Sequence, residues 1–361
     1  MKVIHLPTSV GGNSYGLSRA ERKLGIDSDV LVLYNNWIQY PADKILFNRE
    51  PGSVFQGIFH LPQISYQMIK VQNQYDIFHF NFGKTLFDFP RFHLNLLDLP
   101  LFKKKGKIFV TYNGCDARQK FPTVERTEFS ACHYDKCYDG ICSSGEADGI
   151  KQKRIKIFDH YAEGIFALNP DLLYFLPERA KFLPYTIASW DKLQQFPEKK
   201  ERNVITIVHS PTNRVAKGSD VIIRVLEELK QLYGDKIEIK LIEGLPHDLA
   251  MNLYSSADII IDQILIGWYG ALAVEAMKMG IPVIAYIREE DLHYIPPEMA
   301  QDCKNALIQA QGSTLLEVLI SLIENPDLLN YYRENGVEYV NKWHKPEFVA
   351  SITKNAYESK I

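Results

Sequence analysis

Short apolar runs of β-branched and aromatic residues alternate along this chain with longer stretches whose apolar residues recur every three or four positions. The first pattern is that of a buried strand, the second that of a helix with one face on a core. Lys2–Pro7 reads as the first strand. A turn at Val10–Asn13 leads into a helix at Ser14–Leu24, with Leu17, Ala20 and Leu24 on one face and Gly25 as its stop. Strands follow at Asp29–Tyr34, Asp76–Asn81, Lys107–Asn113, Gly164–Asn169 and Lys181–Tyr185, and the apolar stretch Val54–Val71 reads as a helix despite Pro62. The polar, charged stretch Ser189–Arg202 interrupts the alternation. It restarts with a strand at Val204–Val208 and a helix at Asp220–Leu232, for which Ser219 is the expected N-cap. Strands at Ile237–Ile242, Asp258–Leu265 and Ile281–Ile287 alternate with helices at His247–Ser255 and Ala271–Met279. Helical patterns at Thr314–Glu324, Leu328–Trp343 and Pro346–Glu358 complete the chain.

Strands that alternate with helices build a doubly wound parallel sheet, and a pattern that restarts builds two. The expected fold class is α/β, with two Rossmann-like domains facing an interdomain cleft. The boundaries are 1–188 for an N-terminal domain that carries a Cys-containing loop at 114–149, and 189–202 for the linker. A C-terminal domain takes 203–340, and a last helix in 341–361 returns to the N-terminal domain. Open sheets of this kind bind ligands at the carboxyl ends of their strands, so the chemistry is sought just after strands.

Composition narrows the function. A chain of 361 residues exceeds one ordinary core. With 46% hydrophobic and 24% charged residues, it can offset its ordering entropy, which excludes bulk disorder. The net charge of −3 offers no global basic field, so no nucleic-acid partner is expected. No window approaches the roughly 20 apolar residues that span a bilayer, and the apolar run before Pro7 is too short for a secretion signal. The expected location is cytoplasmic, with peripheral contact at the inner face of the membrane as an extension. Lys103-Lys104-Lys105 beside Leu99–Phe102 reads as a solvated helix end or as a short basic patch for that contact.

Four segments carry candidate chemistry. Gly11-Gly12 form a glycine turn between a strand and a helix, where backbone can approach a ligand. The loop from His209 through Arg214 and Lys217-Gly218 brings two cations to a helix start, a local anion site in a slightly acidic protein. Glu243-Gly244 ends the next strand and can face a base or a sugar. The glycine-bracketed loop Gly267-Trp268-Tyr269-Gly270 enters an apolar helix that bears Glu275, and a carboxylate there needs a partner such as ribose hydroxyls. Separately, Cys115, Cys132, Cys137 and Cys142 crowd one loop-rich region, which reads either as a structural zinc site or as reduced or redox-active thiols. Gly83-Lys84-Thr85 is not a P-loop, because Phe78 stands where the first glycine is required.

The segment Gly270…Glu275-Ala276-Met277…Gly280-x-Pro282-Val283 resembles the donor site of GT-B glycosyltransferases of the family-4 (group 1) type. The run Asp262-Gln263-x-x-x-Gly267-Trp268-Tyr269-Gly270 resembles a polysaccharide-biosynthesis branch of them. In the family pattern a first glutamate lies eight positions before the second; here that position is Gly267. The resemblance implies a hexosyltransferase that moves a sugar, with retention, from a nucleotide-diphosphate sugar to a glycan or lipid-linked acceptor. It implies Arg214 and Lys217 on the diphosphate, Glu275 on the ribose, and Glu243 and Gly244 on the base side. His209, Trp268, Tyr269, Gly270 and Gly11 complete the donor set, with backbone N–H groups of Trp268–Ala271 standing in for the missing glutamate. Asp76-x-x-His79 resembles the family's strand-end histidine, which implies His79 and Gly12 at the reacting sugar. No cofactor is implied for catalysis. Two other readings share this fold: a sugar-nucleotide epimerase, and a module that binds a nucleotide sugar without consuming it.

Overall fold

The structure is a computed structural model that describes residues 1–89, 94–194 and 204–359. Twelve strands among these residues form two sheets. β1 (Lys2–Leu6), β2 (Asp27–Tyr34), β3 (Lys44–Phe47), β4 (Ile77–Asn81), β5 (Lys107–Tyr112), β6 (Gly164–Ala167) and β7 (Lys181–Phe182) lie in the order β3-β2-β1-β4-β5-β6-β7. β8 (Ile205–His209), β9 (Ile237–Leu241), β10 (Ile259–Gln263), β11 (Val283–Ala285) and β12 (Ile308–Gln309) lie in the order β12-β11-β10-β8-β9. Every pairing within these orders is parallel. The central strands β4 (IFHFN) and β10 (IIIDQ) are buried along their whole length, as strands covered on both faces must be. Two α/β sheets of Rossmann-like order follow, and the order in which strands are added reverses between β1 and β4 in one and between β8 and β10 in the other.

Contacts divide the chain into two units. The first comprises Met1–Gln119, Ala147–Ala188 and Pro346–Ile361; the second comprises Lys120–Glu146 and Ser189–Lys345. The first core gathers Leu6, Phe78, Phe80, Phe102, Val110 and Phe158, the second Ile207, Leu226, Ile259, Ile261, Ile284 and Leu319. Each such side chain contributes about 1.5–3 kcal/mol by leaving water.

Several expectations are corrected. The Cys-containing stretch 120–146 groups with the second unit, not with the N-terminal sheet. There the Ala131 N–H donates to Leu265 O (3.2 Å), Arg126 pairs with Asp291, and Phe129 packs on Tyr286 at 4.9 Å. Ser189–Gln194 also belong to the second unit, and the rest of the expected linker 189–202 lies outside the described residues. Ser219 is not an N-cap. Gly218, at φ +77°, precedes the helix Ser219–Tyr233, and the Ser219 hydroxyl is bonded to His209 instead. Leu99 and Phe102 are core residues and Lys103 pairs with Glu163, which leaves Leu101 as the exposed large apolar side chain of that segment. β3, β12 and the helix Pro297–Ala306 were not read from the pattern.

The last helix, Pro346–Glu358, is held in the first unit by a buried carboxylate. Glu21 accepts from Thr353 and Tyr357 on Oε1 (3.0 Å each) and meets Ser28 Oγ (2.7 Å) and His5 Nε2 (2.9 Å) on Oε2. Burial raises its pKa, but His5 and these donors outweigh it and the carboxyl ionises more readily than usual.

Candidate nucleotide-sugar site

The candidate chemistry of the second unit gathers at the carboxyl ends of β8, β9 and β10. After β8 the chain turns at Ser210, whose hydroxyl donates to Ile242 O at 2.8 Å. Asn213 then caps a one-turn helix, Arg214–Lys217, by accepting the Ala216 N–H on Oδ1 (2.9 Å). The two cations sit at the ends of this turn. Arg214 lays its guanidinium fork on Glu243, Nε to Oε1 at 2.8 Å and Nη2 to Oε2 at 2.5 Å, and is half exposed. The Arg214 hydrogen bonds hold the Glu243 carboxyl below the usual glutamate range. Lys217 is largely buried and donates from Nζ to Asp262 Oδ1 at 2.5 Å.

Gly218 ends the turn in the left-handed region, and a Cβ there would stand 2.6 Å from Ile264 Cγ1. Only glycine meets both demands, and it sets the direction from which Lys217 reaches Asp262. Asp262 is fully buried at the end of β10, and its other oxygen accepts the Gly270 N–H at 2.8 Å. One carboxylate thus fixes both the lysine and the entry to the helix Ala271–Lys278.

Gln263 organises the loop between them. Its Oε1 accepts the N–H groups of Leu265 (2.9 Å) and Ile266 (2.6 Å), and its Nε2 donates to the carbonyls of Trp268 (3.1 Å) and Tyr286 (2.7 Å). Gly267 within the loop has φ +82°, and a Cβ would lie 3.2 Å from Arg288 Cβ. The family's first glutamate is missing where the backbone disfavours any side chain. Glu275, one turn into the helix, is buried and accepts on Oε1 from Ser189 Oγ (2.9 Å) and His247 Nε2 (2.7 Å). Burial opposes a charge on His247, but Glu275 and Asp248 outweigh it and raise its pKa.

Three residues expected to face the donor are structural. His209 is fully buried, with Nδ1 donating to Ile261 O and Nε2 accepting from Ser219 Oγ, both at 2.8 Å. Burial pushes its pKa down to about 4, so it stays neutral. Trp268 and Tyr269 are each 1% exposed, and the Tyr269 hydroxyl bonds Tyr339 (2.6 Å) and His344 Nε2 (2.8 Å). Gly270 contributes its N–H to Asp262, so it is not a spare donor for a sugar. Gly244, at φ +66°, has open space where a Cβ would point.

In the first unit, Gly11 (φ +62°) and Gly12 (φ +67°) form the turn before the helix Asn13–Lys23. A Cβ on Gly12 would stand 2.9 Å from Ala188 Cβ, so packing already requires the glycine. His79 is fully enclosed. Its Nδ1 meets the Tyr357 hydroxyl at 2.5 Å and its Nε2 the Thr111 hydroxyl at 2.7 Å. Tyr357 donates to Glu21, so Nδ1 carries the proton and Nε2 accepts, the neutral form that burial enforces. A ring enclosed in this way cannot touch a sugar, which corrects its expected place at the reacting centre.

Among the described residues no group of three or more His, Cys, Asp or Glu is placed to hold a metal ion. Cys115 lies in the first unit, and Cys132, Cys137 and Cys142 lie in the second, on two separate turns and the segment after them. No helix among the described residues is long and apolar enough to cross a membrane. Sequence reasoning assigned no role to Asp262, Gln263 or His247. The polar pair that ends an otherwise all-isoleucine strand was a readable signal for the first two.

No protein-family model and no curated protein matches the sequence. Solved structures do. Sucrose-phosphate synthase from Thermosynechococcus elongatus superposes with a TM-score of 0.60 at 13% identity, over 99% of this chain and 98% of that one. Anabaena HepE, solved with UDP and glucose, gives 0.59 at 12% over 99% and 100%. A putative UDP-N-acetylglucosamine 2-epimerase from Listeria monocytogenes gives 0.54 at 12% over 100% and 97%. At these identities the likeness is one of fold, and the chain carries the two-sheet α/β architecture of GT-B glycosyltransferases.

Proposed function

We propose that the second unit binds a nucleotide-diphosphate sugar and that the chain transfers the sugar to a glycan or lipid-linked acceptor. The observation that carries this reading is the placement of Arg214, Lys217 and Glu275 around the carboxyl ends of β8 and β10, where open α/β sheets bind ligands. The UDP and glucose bound by HepE agree with it. Arg214 is exposed enough to leave Glu243 for a diphosphate, and Lys217 keeps two ammonium protons beyond the one on Asp262. Together they stabilise the charge that develops on a departing diphosphate. Both bonds described to Glu275 fall on Oε1, so Oε2 is the atom for a ribose hydroxyl. Glu243 and Gly244 flank the base, and the Gly11-Gly12 turn is a backbone approach in the first unit. Transfer with retention, of a hexosyl group, in polysaccharide or glycan biosynthesis, follows the motif resemblance and belongs to the same proposal.

The second reading is an epimerase, favoured by the likeness to the Listeria protein. One assay separates them. The purified chain is incubated with UDP- and GDP-sugars, with and without a glycan acceptor mixture. Acceptor-dependent release of the nucleotide, lost in Lys217→Ala, supports the transferase. A changed sugar without acceptor identifies an epimerase. Unchanged donor under both conditions, with binding retained, leaves a binding module.

A further inference from the structure

The helix Val54–Gln74 in the first unit is apolar on both faces. Its inner face places Ile64 and Val71 in the core, with Met68 packed against it. Its outer face should be polar, as for any helix on a soluble surface. Instead Phe55, Ile58, Phe59, Pro62, Tyr66 and Ile69 follow the spacing of one helical stripe, and all are exposed: Phe55 and Phe59 by 69% each, Tyr66 by 67%, Ile69 by 56% and Ile58 by 53%. The rings of Phe55 and Phe59 meet edge to face at 5.1 Å, out in solvent.

The charge carried by the helix itself has one sign. No Asp or Glu occurs between Val54 and Gln74. Lys70 flanks the stripe. Lys44 donates to Gln67 Oε1 at 2.5 Å and lies within electrostatic reach of Lys70. Asn73 continues the stripe at its end, and its Oδ1 accepts from Lys105 Nζ at 3.3 Å, which brings the Lys103–Lys105 run to that end. Beside Phe59 a cavity of about 490 Å³ is lined by Arg49, Glu50 and His60, so its charges are mixed and the basic flank lies toward the other end of the helix.

We infer that the helix Val54–Gln74 docks the protein on an anionic lipid surface, with the Phe55–Ile69 stripe sunk among the headgroups and Lys44, Lys70 and Lys105 on the lipid charge. An amphipathic helix with large apolar side chains outward and a basic flank is built for that boundary. The stripe is a convex ridge of side chains. Fluid lipid adapts to a ridge, whereas a protein partner would need a matching groove. A second copy is disfavoured because a two-fold contact sets the basic flank against itself. The inference does not depend on the donor site.

The test is co-sedimentation of the full chain with phosphatidylcholine vesicles, with and without phosphatidylglycerol, at low and raised salt. Wild type is expected to pellet with the anionic vesicles and to release with salt. Phe55→Ser with Phe59→Ser should weaken that partition by about tenfold or more, the loss of two inserted rings. Lys70→Glu with Lys105→Glu should remove the preference for anionic lipid. Both doublets change exposed side chains, so their thermal unfolding should match wild type and separate lost docking from lost folding. Wild type remaining in the supernatant, or doublets that pellet like wild type, would overturn the inference. So would a concentration-dependent dimer in sedimentation velocity that the Phe55→Ser, Phe59→Ser doublet abolishes, since the stripe would then be a contact between copies.

Discussion

Gly218 has to take a left-handed turn and also to let Ile264 lie where its own side chain would be. Gly218→Ala should therefore cost roughly 2–4 kcal/mol, from backbone strain plus overpacking, and thermal unfolding will read it. Two histidines give a pH signature. His79 and His209 are buried neutral with depressed pKa values, His209 at about 4. In the unfolded chain each takes up a proton near pH 6.5. The unfolded state thus binds more protons below that value, and stability should fall as pH drops from about 6.5 toward 4. His209 alone accounts for on the order of 3 kcal/mol of this across the window. His247 acts in the opposite sense. Its pKa is raised, so its pairing with Glu275 stabilises fully below the ordinary histidine value and is lost as pH rises through the folded one. Unfolding midpoints of wild type and His209→Gln from pH 4 to 8 check the acid limb. A variant with the same slope would show that His209 is not its source. These roles were hard to read from sequence. A histidine in a strand looks alike whether its ring faces a ligand or, as with His79 and His209, two buried partners.

At the scale of elements, the loop from Ile264 to Gly270 is held by two side chains that end β10. Gln263 satisfies two N–H groups and two carbonyls, and Asp262 satisfies the Gly270 N–H and Lys217. Gln263→Ala strands several buried backbone groups at once and should destabilise by roughly 2–4 kcal/mol. It should also weaken nucleotide affinity, since the loop carries the helix of Glu275. Titration calorimetry checks this, and unchanged affinity would separate the loop from the site. Most of this segment was legible. The isoleucine run, the glycines and the Glu275 helix stood out because strand and helix periods change sharply there. The capping geometry was less so. Asn213 rather than Ser219 caps, because Gly218 turns the chain before the second helix begins and the Ser219 hydroxyl goes to His209.

For the whole molecule, alternation of period was enough to predict two parallel α/β sheets, and the central strands lie where the apolar runs placed them. The edge strands β3 and β12 were missed because they are short, four and two residues, too few to show a period. The membership of 120–146 was missed for a different reason. Packing of Phe129 on Tyr286 and pairing of Arg126 with Asp291 join residues far apart in the chain, and no local pattern announces them. Arg214, Lys217 and Glu275 are proposed to form a diphosphate and ribose site. The most direct test is thermal unfolding of the full chain with UDP, GDP, ADP and CMP, each at millimolar concentration. A ligand at about 100 times its dissociation constant adds roughly 2.7 kcal/mol. A shift with one nucleoside diphosphate is expected, reduced in Lys217→Ala and in Glu275→Ala. An unshifted midpoint with every nucleotide, or an equal shift in both variants, would contradict it.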